Sequence, residues 1–167
     1  MKKHALCLST LCFSLLFGMS AHAHASSSTA DNTSVHTIQS QETSVMTQTI
    51  TLRQGINTLE MTLVNNAATR KLLALASDKP LSITMHQYGG FEMVGELPET
   101  LPTDNHDTQT RAGDVVLYNG NQLVIFYGSN RWSYTRLGKI RDASSHDIQK
   151  FFGSDQATIE LCVNVQN

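Results

Sequence analysis

The chain has 167 residues, a length that suits one domain of ordinary size. Its 12 Lys and Arg stand against 14 Asp and Glu, with no basic run, which argues against a nucleic-acid partner. Of three cysteines only Cys162 lies beyond the first turns of the chain, so no internal disulfide is expected and the fold must rest on its core.

Residues 1–25 read as a secretory signal peptide. Lys2 and Lys3 precede an apolar run over residues 5–19, and Ala21, Ala23 and Ala25 supply small residues at A-x-A spacing. The run is shorter than the roughly 20 residues that span a bilayer, and no later run approaches that length. The expectation is therefore export, to the periplasm or beyond the cell, without stable membrane insertion after cleavage. Cys7 and Cys12 sit too early for a lipobox. Residues 26–44 are Ser, Thr, Asn and Gln with isolated apolar positions, and read as a flexible linker. The folded domain is expected over residues 45–167.

Within that domain, residues 45–52 alternate well enough for a strand, and Arg53-Gln54-Gly55 turns the chain into a second strand over residues 56–63. Asn65 or Asn66 can cap a helix of about 11 residues whose apolar positions Ala68, Leu72, Leu75 and Ala76 repeat at helical spacing, until Asp78 and Pro80 end it. Such a helix should cover a barrel mouth. Residues 81–88 read as the next strand, which Gly89-Gly90 stops. Residues 91–111 carry Pro98, Pro102 and a polar run over 103–110, and read as a long surface loop.

Residues 113–140 carry the clearest pattern. Two apolar runs, 115–118 and 123–128, flank an Asn119-Gly120 step, the strongest short-range signal of a tight hairpin. Leu117, Leu123, Ile125 and Tyr127 alternate with Val116, Tyr118, Val124 and Phe126, so both faces are apolar, as in a closed or doubly covered sheet. A further strand is expected over 133–140. Ser144 or Ser145 can then cap a short helix carrying Ile148, Phe151 and Phe152, which Gly153 ends. Ala157, Ile159, Leu161, Val163 and Val165 alternate strictly as a closing strand, with Cys162 on the opposite face.

Four motifs carry a family resemblance: Tyr88-Gly89-Gly90-Phe91, Gly113-Asp114, Phe126-Tyr127-Gly128, and residues 132–140 with the sequence WSYTRLGKI. Together they resemble the bacterial cyclophilin-like domain proteins over roughly residues 45–166, a family that shares its barrel with the prolyl isomerases and is mostly without an assigned activity. The resemblance implies a mainly β, closed cyclophilin-like barrel with one longer and one short helix. In cyclophilins a shallow apolar pocket for proline is bordered by an arginine, a glutamine, aromatics and a histidine. Aligning Gly138-Lys139-Ile140 with the equivalent Gly-Lys-Val of cyclophilins puts Tyr134 at the histidine position. The strand before Gly89 has His86 and Gln87 but no arginine.

The expected binding groove comprises Tyr88, Phe91, Tyr127, Trp132, Tyr134 and Arg136. Aromatics offer apolar area with a polar handle, and the planar fork of an arginine can hold a carbonyl or carboxylate. Each has an alternative use: Tyr127 and Trp132 as core fillers, Arg136 as an exposed ion-pair partner. Asp104, His106 and Asp107 lack any recognised metal spacing, so no metal or cofactor is expected. No nucleophile elbow, phosphate loop, metalloprotease helix or CxxC is present. The leading expectation is an exported module that binds a peptide segment or small ligand without assigned catalysis. The alternative is a peptidyl-prolyl isomerase with a non-standard site, in which Arg136 supplies the donor. The pattern leaves the oligomeric state open.

Overall fold

The structure, a computed structural model, describes residues 48–163. The signal peptide, the linker, the first residues of the expected opening strand and Val165 lie outside the described residues. In chain order come β1 (Thr49–Gln54), β2 (Asn57–Leu63), α1 (Ala67–Leu75), β3 (Leu81–Tyr88), β4 (Glu92–Glu96), β5 (His106–Gln109), β6 (Asp114–Tyr118), β7 (Gln122–Phe126), β8 (Arg131–Ile140), α2 (Ser145–Phe152) and β9 (Gln156–Val163).

The strands pair in the order β2-β1-β9-β3-β4-β7-β6-β8, and β8 pairs back onto β2, so eight strands close a barrel. Every pairing is antiparallel. Closure removes the open edges that an eight-stranded sheet would otherwise present. β5 stands outside the ring and pairs with the first half of β8, Thr108 opposite Trp132.

Period-two alternation fills the interior. Leu117, Leu123, Ile125 and Tyr127 join Ile83, Met85, Ile159 and Leu161 in one buried cluster. A fully buried aliphatic side chain of this kind stabilises by roughly 1.5–3 kcal/mol. Both helices feed the same cluster, α1 through Ala68 and Leu72, α2 through Ile148, Phe151 and Phe152. They close opposite mouths: α1 leaves from the Leu63 end of β2, whereas Gln54 at the other end donates from Nε2 to the Phe152 carbonyl at 3.0 Å. At α1, Asn66 forms a capping box with Thr69. At α2, Ser144 and Asp147 do the same, and Gly153 ends the helix in the left-handed conformation. These are the cap residues that the sequence pattern singles out.

Two expectations are corrected. The segment read as a loop over residues 91–111 holds β4 and β5. In β4 the interior positions are Met93 and Gly95 and the outward ones Glu92, Val94 and Glu96, so the alternation is there but a glycine and two charges mask it. β5 has the sequence HDTQ with only Thr108 buried, and its pairing with β8, not its own pattern, makes it a strand. α1 is also shorter than expected, nine residues, because the Ala76 N–H turns to the Leu72 and Leu73 carbonyls and the Ser77 hydroxyl donates to the Ala74 carbonyl.

The β6–β7 turn has positive φ at both Asn119 (49°) and Gly120 (78°), as a primed hairpin turn requires. A Cβ on Gly120 would also lie 3.0 Å from Thr100 Cγ2. Gly120→Val is expected to destabilise the fold by about 1–2 kcal/mol. An unchanged urea midpoint would count against a strained turn at this position.

Candidate functional site

The pleat that sends Leu117, Leu123 and Ile125 inward sends Val116, Val124 and Phe126 outward, where a second apolar cluster forms with Tyr134. Phe91, Val94 and Tyr118 pack against it. The Phe91 ring stacks on Phe126, with centroids 6.4 Å apart and planes 4° apart, and Phe126 meets the edge of Tyr134 at 5.8 Å. An apolar platform of this kind on the outer face of a barrel marks a candidate binding surface.

Beside the platform opens a cleft of about 570 Å³. Its floor is Val94, Val124, Tyr118 and Tyr134, and its walls come from β3 through His86, Gln87 and Tyr88 and from β4 through Glu92 and Glu96. Trp132 and Asn130 bound it on the β8 side. Tyr88 and Trp132 are 66 % and 59 % exposed, so two large aromatic rings stand at the rim. The size falls within the range typical of small-ligand sites.

Glu92 is the unusual group. Its side chain lines the cleft yet the residue is only 6 % exposed. Its Oε2 is shut off from solvent with no hydrogen-bond partner among the described residues. Burial without a compensating donor pushes its carboxyl up to about 7. Tyr134 is linked to it: burial first, and then the nearby Glu92 charge, raise the phenol above its ordinary range. Asn130 Nδ2 donates to the Tyr134 hydroxyl at 3.0 Å and fixes the ring. A buried carboxyl near neutrality, in an apolar cleft with an aromatic rim, can accept N–H donors when ionised or donate one proton when neutral.

Of the six groove residues expected from the sequence, the structure brings Tyr88, Trp132 and Tyr134 together in the cleft. Phe91, Tyr127 and Arg136 do not line it. Phe91 lies in the turn between β3 and β4 with its ring on Phe126, as part of the support. Tyr127 follows Phe126 and so faces the interior, where it joins the main cluster and borders a separate depression of about 360 Å³ with Gln149 and Asp155. Arg136 is exposed two residues beyond Tyr134, beside the start of α1, where its carbonyl accepts from Asn66 Nδ2 at 2.7 Å. Its guanidinium has no hydrogen-bond or ion-pair partner among the described residues. Glu92 and Asn130 were not singled out by the sequence pattern. The available signal for Glu92 was a single charge within the run Gly90-Phe91-Glu92-Met93-Val94-Gly95.

The remaining polar clusters are structural. Arg131 Nε donates to Asp107 Oδ1 at 3.1 Å and ties β5 to β8. Asp104 pairs with His106 at 3.0 Å on the exposed surface. Asp114, buried, accepts from the Arg111 backbone N–H at 2.9 Å and from Lys139 Nζ at 3.0 Å, which accounts for the Gly113-Asp114 motif as a turn lock. Among the described residues no helix is long and apolar enough to cross a membrane.

A closed antiparallel barrel with helices at its mouths and a cleft on its outer face defines a cyclophilin-like architecture. Residues 52–161 match the cyclophilin-like family, and the chain belongs to that family. Among solved structures it is similar to the solution structure of the hypothetical protein AF2241 from Archaeoglobus fulgidus. That likeness has a TM-score of 0.50 and 15 % identity, and it covers 71 % of this chain and 95 % of that one. At this identity it shows the fold alone. No curated protein sequence matches the chain.

Proposed function

We propose that the protein is an exported binding module that receives a small ligand or peptide segment in the outer-face cleft, with prolyl isomerisation weak or absent. The observation that carries this reading is Glu92, buried in the wall of an apolar cleft with an oxygen left unbonded. An unpaired buried acceptor costs on the order of 1–3 kcal/mol, a cost that a bound donor removes. Export rests on the charged start, the short apolar run and the A-x-A spacing of residues 1–25.

Isomerisation asks for a different arrangement. Rotation about an X-Pro bond crosses about 18–20 kcal/mol and is helped by a strong donor at the prolyl nitrogen, set beside an apolar seat for the ring. The cleft offers apolar and aromatic surface for the ring, but Arg136 is not among its lining residues, and the buried ionisable groups there are the Glu92 carboxyl and the Tyr134 phenol, neither of them a cationic donor. Exchange spectroscopy by NMR on a proline tetrapeptide is therefore expected to show weak or no acceleration of cis/trans interconversion. In the same samples, ligands that bind should shift the amides of Tyr88, Glu92, Trp132 and Tyr134. Acceleration comparable to that of a cyclophilin refutes the binding-only reading, and its loss in Arg136→Ala would assign the donor.

A further inference from the structure

The residues lining the cleft include two carboxylates, Glu92 and Glu96, and one imidazole, His86, but no lysine or arginine. Glu96 is exposed and already accepts from Asn121 Nδ2 at 3.0 Å, whereas Glu92 Oε2 is buried with no hydrogen-bond partner among the described residues. Across the β3–β4 ladder Glu92 pairs with Tyr88, so the rim ring and the buried carboxyl share the outer face of one hairpin. Trp132 exposes its ring on the other side of the same cleft. A carboxylate below exposed aromatic faces is the chemistry that holds an organic cation, through N–H donation to the oxygens and attraction of the charge by the rings.

We infer that the cleft selects an ammonium or guanidinium group, free or borne on a basic side chain, with its N–H donors on Glu92 and its charge between Tyr88 and Trp132. This rests on the reading of the cleft as a binding site and adds the class of ligand. A cation binds the ionised carboxyl, so affinity should rise with pH until Glu92 is fully ionised, near and above 7, and then level off. A ligand carbonyl would prefer the protonated carboxyl and give the opposite slope. The ionisable groups facing Glu92 are His86 and Tyr88 on β3, Glu96 on β4, Tyr118 on β6 and Tyr134 on β8. The profile must also persist in His86→Gln, which removes the one imidazole lining the cleft.

Trp132 is the sole tryptophan of the chain, and its fluorescence reports directly on the cleft. Butylammonium, 1-butanol as its neutral counterpart, and an N-acetylated, C-amidated tetrapeptide with one lysine are the probes, titrated into the full-length protein. Saturable fluorescence changes are expected with a cation at pH 7.5, roughly 20-fold weaker binding at pH 5.5, and at least about tenfold weaker binding of the alcohol. Glu92→Gln should lose about tenfold in affinity and its pH slope, with the near-ultraviolet circular dichroism unchanged. Saturation by butylammonium or by the lysine peptide supports the inference and separates a free amine from a basic side chain. Equal binding of the alcohol, affinity that falls as pH rises, or an unaffected Glu92→Gln overturns it. Binding of 1-butanol alone, without either cation, would overturn the inference and leave the binding-module reading standing, and silence from all three probes overturns both.

Discussion

Glu92→Gln is expected to raise the stability of the protein at pH 8 by about 2 kcal/mol and to flatten its pH dependence between 5 and 8. In the unfolded chain the Glu92 carboxyl titrates at its ordinary value of 4.5, and in the folded barrel at about 7. Between those values the folded state keeps a proton that the unfolded state has released. Stability therefore falls as pH rises through this window and levels off above about 7. The full displacement corresponds to about 3 kcal/mol, and the amide that replaces the carboxyl is itself unbonded, which returns about 1 kcal/mol. Urea midpoints of the two proteins at pH 5 and pH 8 measure the effect. A wild type whose gap from the variant is the same at both pH values would show that the carboxyl is hydrated or paired after all. A carboxyl that weakens the fold at the pH where it is ionised is an arrangement suited to a ligand, because the ligand supplies the donor that the protein withholds.

How far such a group can be foreseen depends on what its position looks like in one dimension. The β6–β7 hairpin is legible because Asn119-Gly120 sets the turn and apolar residues occupy both faces, one for each of the two clusters that the structure contains. The helix caps Asn66 and Ser144 are legible because capping is local chemistry. β4 is hidden by charges on its outer face, and those charges belong to the candidate site: Glu92 and Glu96 read as loop residues for the same reason that they line a cleft. β5 has no hydrophobic pattern to read, since only β8 holds it. Among the groove residues, Tyr134 and Trp132 follow from strand alternation once β8 is placed. Tyr127 and Phe126 are adjacent, and strand parity sends Phe126 to the outer cluster and Tyr127 to the interior. Arg136 shares the outward parity of Tyr134 but lies one pleat further along, beyond the cleft, a displacement that no residue type announces.

Gly138→Ala is expected to be the most damaging small substitution in the barrel, with a loss of about 3 kcal/mol or more. β8 has neighbours on both sides at this residue, Leu63 of β2 and Val115 of β6. A Cβ on Gly138 would lie 2.3 Å from the Thr62 carbonyl oxygen and 3.1 Å from Met61 Cγ. The first contact is with backbone, which cannot swing aside as the end of a side chain can. Relief requires β8 to move away from β2, and that pairing is the seam that closes the ring. Opening it exposes Met61 and Leu63, both in the interior cluster, so the cost combines strain with lost burial. Urea titration measures the loss, and amide exchange should show Met61, Thr62 and Leu63 losing protection ahead of the β6–β7 hairpin. Because β8 also carries Tyr134 and Trp132, any fraction that folds with a displaced strand should show altered Trp132 fluorescence. A variant with an unchanged midpoint and an unchanged Trp132 spectrum would mean that the seam tolerates a Cβ and that the β2–β8 approach is looser than the structure places it.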